Sequence, residues 1–436
     1  MMKKNRTIYF LLALVCLGLQ SCLFQEEDYF DDSSANRATA DVKRCSELLE
    51  AAPNGWVMEY YVGKDYSLGG ITLLCKFDGQ RVTMASQIAG ADETVSSLYS
   101  VKSEQATMLS FDTYNYLVHY FGQPQGSMAD DPNGTLGGDY EFVISDATAD
   151  RIELKGKKSG NRIVLKAFSA DQTWKQYLTR IKKVEDDAFF YEYDLRMDGL
   201  YTGQMLRSNY TFIVTYYDEV GKVHQKTVPF MFTTDGMRFH EPVTIDGQTM
   251  QNFVWKNEEI SFVCTDEGAT EVKLAGVYTA GYQSYDYYPG TYQMDFYRLN
   301  DATNQMEVAS QEIQLVKDED GKSYWLKGLE YDILVTYDKP RGGLSILPQF
   351  LKKVQGGYVY LAMWDLMNDY VLRSSAIGLI SYPTTDGIYL VDNGVWMGEI
   401  SGFIFGVYDS QDEEASFMGY TDAVAAIRLI KKTIEE

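Results

Sequence analysis

Apolar and polar residues alternate with a period of two through most of this chain, and only two stretches keep the period of an amphipathic helix. The first helix is expected over 39–52, capped by Thr39 and stopped by Pro53-Asn54-Gly55. The second falls near 170–184, where Trp174, Tyr177, Leu178 and Ile181 recur at helical spacing. Strands are expected at 71–77 and 80–86 around Asp78-Gly79, a pair that sets a tight hairpin. Further strands follow at 140–145, 151–155 and 162–168, the last two joined by the basic loop 156–161, read as a solvated hairpin tip. The tail 423–432 suits a closing strand or a helix equally.

Composition strengthens the strand reading. The chain holds 34 tyrosines and 21 phenylalanines, and aromatic rings favour pleated, half-wet surfaces. So many strands must hide their edges, and barrels or sandwiches do so. The expected fold class is therefore all-β with one or two short helices, as antiparallel barrels or sandwiches in tandem. The domain plan is a signal peptide at 1–21, an acidic tether at 22–38, an N-terminal β-rich domain at 39–285 with a candidate split near 186, and a C-terminal β domain at 286–436. Two echoes suggest duplication: Gly55-Trp-Val-Met-Glu-Tyr-Tyr with Gly290-Thr-Tyr-Gln-Met-Asp-Phe-Tyr, and Thr233-Thr-Asp-Gly with Thr384-Thr-Asp-Gly, each of the latter expected to follow a long hairpin, 210–232 or 358–382. The copies are unequally spaced, so the first half would carry an extra segment around the second helix.

The N-terminus carries an address. Lys3, Lys4 and Arg6 precede a short apolar core at 8–19, too short to span a bilayer. Leu19-Gln20-Ser21-Cys22 looks like a bacterial lipobox, which predicts cleavage before Cys22 and a membrane anchor of lipid on that cysteine. Glu26, Glu27 and Asp28 follow in an acidic run, which serves as a solvated tether and also resembles the surface-export signal of Bacteroidetes lipoproteins. The formal net charge is −23, more negative still once the signal's three cations leave; such a chain lacks the clustered cations that nucleic acid or anionic lipid requires. Loss of Cys16 and lipidation of Cys22 leave Cys45, Cys75 and Cys264, an odd and scattered set that makes neither a disulfide framework nor a zinc site. Cys75 and Cys264 lie in apolar runs and read as core.

The lipobox, the helix leading into Pro53-Asn54-Gly55-Trp56, Gly69-Gly70 and Leu109-Ser-Phe-Asp-Thr-Tyr-Asn115 together resemble a family of Bacteroidetes lipoproteins known as domain of unknown function 4302. The similarity covers roughly residues 1–290. It implies lipocalin-like β structure and genes beside outer-membrane nutrient importers of the starch-utilisation type. It implies no catalytic residues.

Chemistry is sparse. His119, His224 and His240 form no local zinc motif, and no nucleophile elbow, P-loop or dinucleotide loop is present. Asp130-Asp131-Pro132-Asn133-Gly134 has calcium-like composition, but counting from Asp131 puts Leu136 and Phe142 where an EF-hand needs glycine and glutamate. No metal or other cofactor is expected. Among 62 acidic residues no opposed glycosidase pair can be singled out. The unusual stretch is 278–292, with six tyrosines; Tyr282, Tyr285, Tyr287 and Tyr288 are candidate rings for stacking on a ligand, against the plainer reading of an aromatic linker packed between domains. The leading expectation is a non-catalytic cell-surface lipoprotein of the outer membrane that captures a nutrient polymer, glycan or peptide, for an importer; a periplasm-facing orientation is the other topology. A structural or adhesive surface protein is the alternative, and a hydrolase comes third.

Overall fold

The computed structural model describes residues 33–124, 134–218, 220–300, 302–303, 305–412 and 414–432. Cys22, the acidic run and the Asp130–Asn133 turn lie outside them. The described chain is nearly all-β, built of antiparallel barrels in tandem with three short helices.

In the first barrel the strands are β1 (Trp56–Val62), β2 (Gly69–Asp78), β3 (Arg81–Ser86), β4 (Val95–Ser103), β5 (Thr107–Phe111), β6 (Glu141–Ala147), β7 (Arg151–Gly156) and β8 (Arg162–Ala167). They close where Trp56 and Met58 of β1 pair with Ala167 and Leu165 of β8. Alternation decides what goes inside: Ile152, Leu154, Ile163 and Leu165 are buried, while Arg151, Glu153 and Arg162 stand on the outer wall. Helix α1 (Ser34–Ala51) packs on this barrel through Cys45 and Leu49, and the Trp56 indole donates to Leu49 O at 2.8 Å. It starts earlier than expected. Ser33, not Thr39, is the cap, accepting from Asn36 N at 3.2 Å, while the Thr39 hydroxyl bonds back to Ala35 O inside the helix. Helix α2 (Tyr116–His119) is one turn, and His119 is structural as expected: its Nδ1 lies 3.2 Å from Asn115 N and its ring stacks on Tyr140.

Helix α3 (Trp174–Asp187) opens on a reciprocal capping box between Thr173 and Gln176 and leads into the second barrel. That barrel runs β9 (Glu192–Met197), β10 (Leu200–Ser208), β11 (Thr211–Tyr217), β12 (Val223–Phe232), β13 (Gly236–Ile245), β14 (Gln248–Lys256), β15 (Ser261–Cys264) and β16 (Lys273–Val277), closing where Leu195 pairs with Leu274. Its core is dense in phenylalanine, with Phe212, Phe230, Phe232 and Phe239 fully buried.

The third unit comprises β17 (Gly290–Asn300), β18 (Gln305–Lys317), β19 (Ser323–Lys327), β20 (Ile333–Asp338), β21 (Gly343–Ile346), β22 (Gln349–Val354), β23 (Gly357–Asp365), β24 (Tyr370–Leu372), β25 (Leu379–Thr384), β26 (Gly387–Asp392), β27 (Gly402–Tyr408) and β28 (Phe417–Lys431). Leu429 of β28 pairs with Ile388 of β26 on one side and Met294 of β17 on the other, so β17–β21, β25, β26 and β28 form a ring. Strands β27, β23 and β22 continue outward from the N-terminal half of β28, with β24 on β23. The tail is therefore a strand: Val424, Ile427 and Leu429 point into the core, and Ala426 takes a left-handed φ of 51° where the register shifts against β17.

The echoes have mixed outcomes. Trp56 and Gly290 both begin the first strand of their units, with Met58 and Met294 buried. Both Thr-Thr-Asp-Gly copies make a hairpin turn in which the first threonine binds its own aspartate, Thr233 to Asp235 at 3.0 Å and Thr384 to Asp386 at 2.6 Å. The segment before the second copy is not one hairpin: β23 pairs with β22, β24 and β27, and β25 with β21 and β26. Cys45, Cys75 and Cys264 are free and buried.

The first two barrels meet closely. Gly69 has φ +73°, and a Cβ there would sit 2.0 Å from the Tyr210 carbonyl of the second barrel, so only glycine lets the backbones approach. Across the same seam Glu59 binds Arg238 at 2.6 Å, and the His240 ring lies between Tyr61 and Tyr66, with centroids 4.2 and 4.1 Å away.

Candidate ligand-binding groove

The tyrosine stretch does not form one exposed platform. Tyr288 is fully buried, its hydroxyl donating to Gly342 O at 2.8 Å, so no face is open to a ligand. Tyr285 stacks on Tyr324 at 4.7 Å and its hydroxyl donates to Ser323 O. Tyr282 stacks on Phe189 and its hydroxyl meets that of Tyr337 at 3.1 Å. Only Tyr287 of the four is exposed, at 40%, with the Lys431 ammonium over its ring. The segment packs in the seam between the second barrel and the third unit, the linker arrangement weighed above. Local density of tyrosine is not exposure.

Rings do line up elsewhere, across the strands that leave the third ring. Phe350 of β22 pairs directly with Tyr360 of β23, rings 5.4 Å apart. Tyr360 lies 5.7 Å from Tyr408 of β27, and Tyr408 pairs with Phe417 of β28 at 5.5 Å. Four adjacent strands thus place four rings in one row, because cross-strand neighbours on one face lie within ring contact. Gly406 makes the row possible: a Cβ there would press within 3.0 Å of both the Tyr408 and Phe417 rings.

The segment after β24 forms the opposite wall. Arg373 lies over Tyr408 at 4.2 Å and Tyr360 at 4.8 Å, and its Nη2 donates to Asp412 O at 2.5 Å. Burial raises the Tyr408 phenol's pKa and Arg373 offsets part of that rise, so the phenol stays neutral near pH 7. The groove encloses about 830 Å³, with Ser374, Ser375 and Gln411 among the described lining residues and no carboxylate. Phe350 and Phe417 are each 45% exposed. Such a site can stack flat apolar faces and hydrogen-bond hydroxyls. Among the described residues no group of His, Cys, Asp and Glu converges as metal ligands.

Nothing in the sequence places these four rings together. Phe350, Tyr360, Tyr408 and Phe417 become neighbours only through strand pairing. The available signal was the alternation in Tyr358-Val-Tyr360 after Gly356-Gly357.

A family model described as a domain of unknown function, DUF4302, matches residues 26–257, more than half the chain. The chain belongs to the DUF4302 family. In this DUF4302 protein a second model, also a domain of unknown function, DUF4987, matches 265–404. The DUF4302 match ends just beyond β14, inside the second barrel, and β16 belongs to the DUF4987 segment. The groove lies wholly outside the DUF4302 match. No curated protein matches the chain. Among solved structures, a protein of unknown function of the DUF3598 family from Nostoc punctiforme shares 8% identity over 56% of this chain and 98% of its own, with a TM-score of 0.15.

Proposed function

We propose that this DUF4302 protein is a non-catalytic, lipid-anchored surface protein that captures a nutrient polymer, a glycan before a peptide, for an outer-membrane importer. The observation that carries the reading is the set of rings Tyr360, Tyr408 and Phe417 in a groove whose described lining holds no carboxylate and carries hydroxyl, amide and guanidinium groups, with Phe350 extending the row beside Tyr360. A sugar ring offers an apolar face to an aromatic side chain and hydroxyls to such a rim. Lipid on Cys22 anchors the protein and the acidic run after it holds the barrels clear of the membrane; no described helix is long and apolar enough to cross one. The importer partner rests on the gene context that the sequence resemblance implies.

Affinity electrophoresis through gels loaded with soluble plant and mucin polysaccharides tests the reading, beside retention on immobilised peptides and a reducing-sugar assay of the same mixtures. Retardation by at least one polysaccharide with no new reducing ends is the expected result. Peptide retention alone would move the reading to its peptide form, and release of reducing ends would replace it with a hydrolase.

A further inference from the structure

Where the first two barrels meet, the outer walls of β1, β7 and β8 face those of β13 and β14 across a cleft of about 350 Å³. Its lining carries Arg151, Arg162, Lys166 and Arg238 against one carboxylate, Glu59, in a chain of net charge −23. Glu59 is fully engaged: Oε1 lies 2.6 Å from Lys166 and Oε2 lies 2.6 Å from Arg238. Arg151 and Arg162 share Glu153, which stands just outside the lining, at 3.1 and 2.7 Å. Two carboxylates thus serve four cations, and a protein-walled cleft concentrates the excess positive potential.

A second observation points the same way. Tyr61 belongs to this lining and is 4% exposed, and no protein acceptor takes the proton of its buried hydroxyl; the Arg238 guanidinium beside the phenol oxygen is itself only a donor. A buried hydroxyl without an acceptor is penalised, so a donor stands ready for an acceptor that the protein itself does not supply. His240 forms part of the wall between Tyr61 and Tyr66, and its burial lowers its pKa, keeping it neutral at pH 7.

We infer that this cleft binds an oxyanion group (phosphate, sulfate or carboxylate), clamped by Arg151 and Arg162 and receiving a hydrogen bond from the Tyr61 hydroxyl. Guanidinium groups match the planar or tetrahedral edges of such anions in paired hydrogen bonds. The volume is at the lower end of small-molecule sites, enough for an oxyanion with one sugar ring attached. The site is independent of the aromatic groove, which lies in another unit.

The test is calorimetric titration of the full chain at constant ionic strength with sulfate, phosphate and glucuronate, and with glucose as the uncharged control. One saturable site for at least one anion, and none for glucose, is expected. Arg151→Gln with Arg162→Gln should weaken it tenfold or more while leaving polysaccharide retention by the groove unchanged. Tyr61→Phe should weaken it severalfold with little change in melting temperature, because no protein group accepts the hydroxyl proton that is removed. Tighter binding of glucuronate than of sulfate and phosphate assigns the site to an acidic sugar, and the reverse order to a free inorganic anion. Absence of saturable binding by all three at millimolar concentration, or undiminished binding in the folded double variant, overturns the inference.

Discussion

Tyr288 separates a structural tyrosine from a ligand-stacking one. Its ring is fully buried against Tyr287, Tyr324 and Tyr337, its hydroxyl holds Gly342 O, and its own carbonyl accepts from the Tyr292 hydroxyl at 2.7 Å. Truncation to alanine removes a whole buried ring and leaves a cavity, a change that costs about 3–5 kcal/mol. For a unit of this size that is a fall in Tm on the order of 10 °C. Tyr288→Phe keeps the ring and loses only the hydroxyl bond, about 1 kcal/mol. Tyr287→Ala, at an exposed ring under the Lys431 ammonium, should cost less than about 1 kcal/mol. Differential scanning calorimetry of the full chain reads all three. A drop below about 2 °C for Tyr288→Ala, or equal drops for Tyr287→Ala and Tyr288→Ala, would refute the assignment of this segment to the seam.

The Glu59–Arg238 bridge gives a pH-dependent prediction. Burial raises the Glu59 pKa, but Arg238 and Lys166 together outweigh it and hold the carboxyl below its ordinary value. A lowered folded pKa contributes stability that is present above the unfolded value of about 4.3 and lost as pH falls through the folded one. Arg238→Gln should therefore cost about 2–3 kcal/mol at pH 7 by urea unfolding, a difference that shrinks in acid; a difference that persists or grows there would contradict the bridge. At the N-terminus, Cys22→Ala should abolish palmitate labelling and release the protein from membranes, and a labelled, membrane-bound variant would refute the anchor. Alanine at Glu26, Glu27 and Asp28 should reduce protease access on intact cells, whereas unchanged access would leave the acidic run as a tether alone.

Period-two alternation was legible because a closed barrel with one wet wall imposes it, as in β7 and β8, where buried Ile and Leu alternate with outward Arg and Glu. Helix boundaries were less so. Ser33 and Thr39 are both competent caps, and α1 starts at the earlier one, where Ser33 accepts from Asn36 N while Thr39 bonds back to Ala35 O inside the helix. The tail was ambiguous because Ala425 and Ala426 favour helix locally, while pairing on both sides makes β28 a strand. The site was the least legible part. Six tyrosines within 278–292 gave a strong local signal that packing consumed, whereas the four-ring row, exposed at its two ends, is assembled from strands far apart in sequence. Glu59 and Arg238 likewise give no hint of each other until two barrels bring them together.

The measurement that tests the central claim most directly is polysaccharide affinity of the Phe350→Ala, Phe417→Ala double variant against the unaltered chain. Both rings are nearly half exposed, so their loss should leave the melting temperature almost unchanged. The account predicts at least tenfold weaker polysaccharide binding, equivalent to about 1.4 kcal/mol. Equal affinity in a folded double variant would contradict it.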